Sequence, residues 1–235
     1  QFIFLLAVPM LTMRLLAEEA KQKTDQLLLT SPLPLKDMVI GKYLAAVAVF
    51  FGALAITFVY PIIMSTLGDI SWGEIIGSYI GFFLFGCALI AVGLFISSVT
   101  ENQVVAAVAT FTTLLLLWLL DAIIQGLPID RTSGVLFAAV IAIGLAILIY
   151  FTTKNIYVAA GTGLVGLVAI AIGYIIKASF YDGLMPRVFQ WFSLYSRYND
   201  FELGVLSLSP VIYYITFSCA FVFLTIQMLE KKRWS

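Results

Sequence analysis

The chain has 235 residues, 62% hydrophobic and 11% charged, with zero formal net charge and a mean hydropathy of +1.07. Soluble domains run nearer about half apolar and about a quarter charged, so one globular core cannot hide this excess and the natural solvent is a bilayer. The charge balance offers no basic stripe for nucleic acid. Histidine is absent, and Cys87 and Cys219 sit inside apolar runs, so the commonest general base and a common metal ligand are missing and the cysteines read as small buried hydrophobes.

The chain opens inside an apolar run, FIFLLAVPMLTM, with no charged segment before it and no cleavage signature after it; it is not a signal peptide. It reads as the tail of a span whose beginning is missing, which makes the sequence a fragment lacking an N-terminal segment. With about 20 apolar residues needed per crossing, the candidate spans are this run to about Leu16, then 43–64, 75–98, 104–124, 135–152, 156–176 and 210–229. Backbone in hydrocarbon must satisfy its own hydrogen bonds, and no run alternates as a barrel strand does. The expected fold is therefore all-α: a polytopic bundle of about seven spans, eight in the full chain, forming one membrane domain over 1–235.

The connections carry turn signals. Two prolines in TSPLP (Thr30 to Pro34) break the helix ahead of the second span. LGDIS is a short turn, and in SSVTENQ the pair Thr100 and Gln103 fits a capping box. LPIDRTSG (Leu127 to Gly134) is a further turn. The stretch 177–209 mixes Phe, Trp and Tyr with charges, as a loop at a membrane interface does. Alternating the spans places nine basic residues on one side (Arg14, Lys21, Lys23, Lys36, Lys42, Lys154, Lys231, Lys232, Arg233) and four on the other (Arg131, Lys177, Arg187, Arg197). The positive-inside rule then makes the first side, and the C-terminus, cytoplasmic.

Charge within the spans is confined to Asp121, near an outer end. An ion-coupled carrier ordinarily keeps a carboxylate or basic group at mid-membrane. Asp121 reads as an interfacial residue or as a gate or substrate contact. Gly161, Gly163 and Gly166 spell G-x-G-x-x-G, but no strand precedes them and the run continues apolar, so a dinucleotide fingerprint is rejected in favour of close helix packing. Gly77 and Gly81 form a G-x-x-x-G, again a packing signal, with homodimer contact as the alternative. No G-x-x-x-x-G-K-[ST] occurs, so ATP hydrolysis would have to sit on a partner. No nucleophile–base pair, catalytic residue or metal set is visible.

The longest polar segment runs from Arg14 to Lys42 and holds five of the thirteen basic residues. Ala17 to Leu29 reads as helix, with Glu18, Glu19, Lys21, Lys23 and Asp25 polar and Leu27, Leu28 and Leu29 an apolar knob. Thr24 is placed to cap a new short helix, and Ser31, Pro32 and Pro34 end it. The loop is either a stiff elbow with a hydrophobic tip or a solvated loop whose leucines tuck against headgroups; composition does not choose.

At this point the residues resemble a known family. PMLTMRLLAEEAKQKTDQLLLTSPLPLKDMVIGKYLAA (Pro9 to Ala46) is similar to the loop of ABC-2 type exporter permeases, in the branch that includes gliding-motility and nitrous-oxide-reductase maturation permeases. GLFISSVTENQVVAA (Gly93 to Ala107), SRYNDFELGV (Ser196 to Val205) and the ending MLEKKRW follow in the family's order. The resemblance implies a coupling helix within the cytoplasmic loop 17–36 that docks on a separate ATPase subunit. Leu27, Leu28 and Leu29 would be its apolar contact, Glu18 and Glu19 its polar anchors, and Thr24 and Ser31 would lie in the same contact. It also implies a second permease subunit, identical or not, ATP and Mg held by the ATPase rather than by this chain, and a bacterial or archaeal cytoplasmic membrane. An extracytoplasmic accessory protein is a further candidate partner, for the aromatic loop 177–209. Asp121, Tyr198, Asp200 and Phe201 are the candidate outer gate. The sequence departs from the branch where Lys23 replaces an expected glycine and Gln26 an expected Glu. The runs 135–152 and 156–176 exceed the usual six-span plan, which suggests an eight-span variant or a re-entrant pair. The competing readings are a non-transporting scaffold that anchors an ATPase or an extracytoplasmic partner, an intramembrane enzyme acting on lipid, which lacks a polar cluster within the spans, and a channel, which lacks a ring of pore charges.

Overall fold

The structure is a computed structural model describing residues 2–24 and 34–234, and these are helical throughout with short connections. The helices are α1 (Phe2–Thr12), α2 (Ala17–Gln22), α3 (Leu35–Thr57), α4 (Val59–Ser65), α5 (Trp72–Val99), α6 (Gln103–Gly126), α7 (Arg131–Thr153), α8 (Ile156–Lys177), α9 (Leu184–Phe192), α10 (Asn199–Glu202) and α11 (Leu208–Trp234). Among the described residues six stretches are long and apolar enough to cross a membrane: Leu35–Ser65, which joins α3 and α4, then α5, α6, α7, Ile156–Ile176 and Leu208–Arg233. The all-α polytopic expectation holds. The opening run is helical for 11 residues; at 1.5 Å per residue this is about 16 Å, short of the roughly 30 Å hydrocarbon core.

Three local expectations are corrected. The second span begins at Leu35, directly after Pro34, and not near residue 43; Lys36, Asp37 and Lys42 therefore lie in its first turns. Proline supplies a fixed extended φ that ends the preceding segment and lets the helix start at once. The cap of α6 is Asn102, whose Oδ1 accepts from the Val104 amide at 2.9 Å, while the Thr100 hydroxyl bonds Asn102 backbone on both sides. Gln103 Oε1 is buried with no hydrogen bond to a described residue, so the capping box does not form. Finally, 177–209 is not an open loop. It contains a 3-10 turn over Ala178–Tyr181, α9, a second 3-10 turn over Ser196–Tyr198 and α10.

The described contacts fall into two compact units, Gln1–Trp118 with Leu194–Ser235, and Leu119–Ser193. In the first, α5 is the axis. Phe85, Ala88, Leu89, Ile90, Ala91 and Leu94 are all fully buried, so the middle of this helix is apolar all round and enclosed on every side. It packs against α1, α3 and α11. α1 runs beside it in the same direction: Phe4 meets the Phe85 ring at 5.4 Å, and the Thr12 side chain occupies the space above Gly93. Lipid tails are as apolar as leucine, so burial alone gains little between membrane helices and close approach must hold them. The glycines of α5 supply it. A Cβ at Gly81 would fall inside the Phe201 ring, one at Gly86 inside the Phe50 ring.

In the second unit α7 and α8 form a hairpin joined by Lys154 and Asn155. Lys154 closes α7 in the left-handed region at φ 51, and the Asn155 side chain caps α8 through the Tyr157 amide at 3.0 Å. Gly163 and Gly166 face Ala146 and Ala142 of α7, whereas Gly161 faces open space. The end of the hairpin is tied by a bidentate Arg131–Asp182 pair at 3.0 and 3.2 Å, and the Gly183 amide donates to the Ile129 carbonyl at 2.9 Å. The Arg131 hydrogen bond holds the Asp182 carboxyl below its ordinary range. A depressed aspartate favours the fold above its unfolded pKa, and that contribution is lost as pH falls through the folded value. Both side chains are solvent-exposed, so the pair orders the loop more than it stabilises the unit.

Two outcomes follow from this packing. Gly81→Ala should destabilise the first unit by about 1–3 kcal/mol, the range for overpacking. Gly161→Ala, in open space on α8, should be neutral or gain up to about 1 kcal/mol of helix propensity; thermal unfolding of the two variants in one detergent makes the comparison. For the pair, Arg131→Gln should return the Asp182 titration towards the ordinary aspartate value of about 3.9, read by carboxyl-carbon NMR. An unchanged midpoint would show that the guanidinium does not set it.

Candidate functional site

Polar groups of the first unit collect at one end of α5. The chain leaves α1 through Met13–Leu16 and turns into α2, a six-residue helix with Glu18 and Glu19 in its first turn and Lys21 in its last. Acidic residues favour a helix N-terminus and basic ones its C-terminus, which helps so short a helix to persist. The residue preceding α2 is Leu16, which has no side-chain acceptor for the first free amides. Ser97, in the last turn of α5, supplies one. Its Oγ accepts from the Leu16 amide at 3.2 Å and the Ala17 amide at 3.1 Å and lies 3.4 Å from the Met13 carbonyl. Leu16 and Ala17 are buried against it.

The other long helices reach the same place. Lys42 of α3 pairs with the Glu19 carboxylate and donates to the Leu15 carbonyl. Lys232, in the last turn of α11, donates to the Ser98 carbonyl at 2.7 Å. A small recess between them is lined by Leu16, Glu19, Met38, Ser98, Leu229 and Lys232. So α2 is held by α5 and α3, and α11 closes onto the next residue of α5. Segments that span alternation assigned to one side of the membrane, near Leu16, Lys42, Ser97 and Lys232, meet at one end of this unit.

Helix α2 stops at Gln22, so the helix expected over Ala17 to Leu29 is interrupted at Lys23; its part from residue 25 lies outside the described residues. Lys23 is left-handed at φ 56, and the Lys23 and Thr24 amides return to the Ala20 and Glu19 carbonyls. This is a C-terminal cap in which glycine is the usual residue; the lysine where a glycine was expected therefore occupies a position that demands a left-handed backbone. Thr24 does not begin a helix within the described residues: its hydroxyl also turns back to Glu19 O, at 3.3 Å. Glu18 bonds Gln22 at 3.2 Å, one turn along. Leu27, Leu28, Leu29 and Ser31 lie outside the described residues.

At the other end of α5 the segment Leu194–Gly204 packs into the core. Leu194 and Phe201 are fully buried, and Tyr195 and Tyr198 nearly so; the expectation of an interfacial aromatic loop fails for this half. The Phe85 ring is the hub, with Tyr195 at 4.9 Å, Tyr198 at 5.3 Å and Tyr214 at 5.9 Å. Ser78 donates to the Phe201 carbonyl at 2.8 Å, and Tyr214 to the Leu194 carbonyl at 2.7 Å. Burial, then the Glu202 carboxylate, pushes the Tyr198 phenol up. Gly77 and Gly81 pack against this segment: a Cβ on Gly77 would meet the Gly204 carbonyl. Tyr198 and Phe201 are thus neighbours, with rings 6.4 Å apart. Asp121 belongs to the other unit, where it accepts from the Ser193 hydroxyl. The side chain of Asp200 lies outside the described residues. An apolar cleft of about 630 Å³ runs between α1, α3 and α5, with Phe4, Phe50 and Phe82 on its walls and the hydroxyls of Ser78, Tyr79 and Tyr198 at one end.

Residues 2–133, more than half of the chain and including α2, α3 and α5, match the family model described as ABC-2 family transporter protein. The chain belongs to the ABC-2 transporter family. Neither the comparison with curated proteins nor that with solved structures returned a match. Membership makes this an integral membrane protein of the permease type, the membrane domain of a transporter that works with an ABC ATPase. The family match covers α2 and the Ser97 end of α5, but not Lys232 or the aromatic segment from Leu194.

Ser97, Lys42, Asn102 and Lys232 were not singled out from sequence, although Ser97 and Asn102 stand inside GLFISSVTENQ. A serine ending an apolar span has many uses, and its partners are eighty residues away. Lys23→Gly should relieve a left-handed backbone that costs a side chain about 1–2 kcal/mol, and Lys23→Val should worsen it. Hydrogen exchange at the residue-23 and Thr24 amides, slower in the first variant and faster in the second, checks this.

Proposed function

We propose that the chain is the membrane-spanning subunit of an ATP-driven ABC exporter, in which a separate ATPase subunit moves the spans by docking on the segment from α2 through residue 31. The observation that carries this is the attachment of α2 within the family-matched region: Ser97 and Lys42 bind it to α5 and α3. A contact made on α2 reaches α5 and α3 through these bonds. Glu18, Glu19 and Thr24 are its polar surface, and Leu27, Leu28 and Leu29 fill an apolar cleft in the ATPase, with Ser31 at the edge. Nucleotide and Mg are bound by that subunit.

In this reading the end of α5 that holds α2 faces the cytoplasm, as does the C-terminus. The excess of basic residues on that side supports it. Residues 17–36 are the cytoplasmic coupling loop, 177–209 is extracytoplasmic, and the whole chain acts as one permease domain in the cytoplasmic membrane of a bacterium or archaeon. Two permease subunits pair above two ATPases. The likeness to the gliding-motility and nitrous-oxide-reductase maturation branch, carried by the blocks at Pro9–Ala46, Gly93–Ala107 and Ser196–Val205, favours an exporter, whose extracytoplasmic face can also meet an accessory protein. Phe201, seated over Gly81, serves with its neighbour Tyr198 as the outer gate, because a ring that rests on a glycine is freed by a small shift of α5.

Replacing Leu27 and Leu28 with Asp should abolish permease-stimulated ATP hydrolysis in reconstituted vesicles while leaving expression and unfolding temperature unchanged. Buried carboxylates without partners cost several kcal/mol, enough to empty the docking cleft. Full stimulation by this variant would refute the docking site.

A further inference from the structure

The two attachments of α2 are unlike. Lys42 reaches Glu19 on a four-carbon stem, with side chains 18% and 32% exposed; such a pair follows movement and holds position weakly. Ser97 is 1% exposed, has a single rotor and projects from the helix that the rest of the first unit surrounds. Its hydroxyl acts as the N-terminal cap that Leu16 lacks. One turn earlier on the same face of α5, the Thr12 side chain fills the space above Gly93. The spacing matches on both segments: Thr12 to Leu16, along the turn that joins α1 to α2, against Gly93 to Ser97, four residues each, the second pair on one face of α5. The contact therefore has a defined register, closed at its end by a hydrogen-bonded hydroxyl.

We infer that Ser97 is the positioning residue through which α2 moves α5: its hydroxyl fixes the register of the α1–α2 turn on α5, so that a displacement imposed on α2 is delivered to the buried central helix. The inference rests on the proposed docking of an ATPase after α2. Ser97 touches neither nucleotide nor cargo. Losing its hydroxyl leaves the Thr12 contact and the Lys42 pair to hold α2 near its place, so the subunit still assembles but no longer transmits.

The test uses the full-length permease co-expressed with its cognate ABC ATPase and reconstituted in vesicles of phosphatidylethanolamine and phosphatidylglycerol. A reporter cysteine replaces Val205, 53% exposed and next to the Gly204 that abuts α5, in a Cys219→Ser background. Its maleimide labelling rate is compared with and without ATP and vanadate. Ser97→Ala should keep membrane expression and ATPase co-purification, lower the unfolding temperature as the buried Leu16 and Ala17 amides lose their acceptor, and lose the nucleotide effect on labelling by roughly fivefold or more, the lower bound of ordinary coupling between sites. Ser97→Thr, which retains the hydroxyl, should restore it. If Ser97→Ala does not reach the membrane, Ser97→Cys, of similar volume but a weak acceptor, takes its place and should behave as stated for Ser97→Ala. A nucleotide effect unchanged in the variant without the hydroxyl, or a threonine variant as defective as it, overturns the inference while leaving docking intact. Failure of the unsubstituted permease to retain the ATPase overturns the docking reading and the inference with it.

Discussion

The first unit is organised by the near absence of side chains on parts of α5. A membrane helix gains little from burying apolar surface that lipid would cover equally well, and must instead bring backbones and rings within van der Waals reach. Gly81, Gly86 and Gly93 each leave a place that a neighbour fills: Phe201, Phe50 and Thr12. α1, α3 and the segment before α11 are thereby fitted to one helix. Because that helix is enclosed, it cannot shift without shifting them, a property of close-packed interiors.

Along α5 the chemistry changes. At one end of α5, contacts are made by a hydroxyl, an ion pair and two lysine–carbonyl bonds. These are directional, so they specify register where the apolar contacts along the helix specify distance. The polar end and the packed middle are consecutive stretches of the same rod. That continuity joins the Ser97 contacts at one end to the Phe201 ring seated on Gly81 at the other.

The second unit follows the same packing rule with simpler parts. α7 and α8 approach through Gly163 and Gly166 against two alanines, and a short turn with one left-handed lysine joins them. Its α9 carries Trp191 and Phe192, 71% and 61% exposed. Exposed aromatics on a short helix beside a span suit the zone between headgroups and hydrocarbon. This hairpin supplies two of the six described stretches long and apolar enough to cross a membrane.

Much of the architecture could be read along the chain, since crossing a bilayer imposes a length and a composition that few other constraints imitate. The boundaries 104–124, 135–152 and 156–176 reappear within a few residues as α6, α7 and α8. The polar segment from Arg14 to Lys42 stood out because it interrupts an oily sequence, and its likeness to a permease loop lay in ordered blocks of local sequence. What required three dimensions were the pairings between blocks. Ser97 with Leu16, Lys232 with Ser98 and Gly81 with Phe201 join residues 81 to 134 positions apart, and no periodicity records which glycine receives which ring. The aromatic stretch after Lys177 shows the reason most plainly. Its composition fits an interface and a core equally, and only the empty surface of α5 decides that Tyr195, Tyr198 and Phe201 go inside.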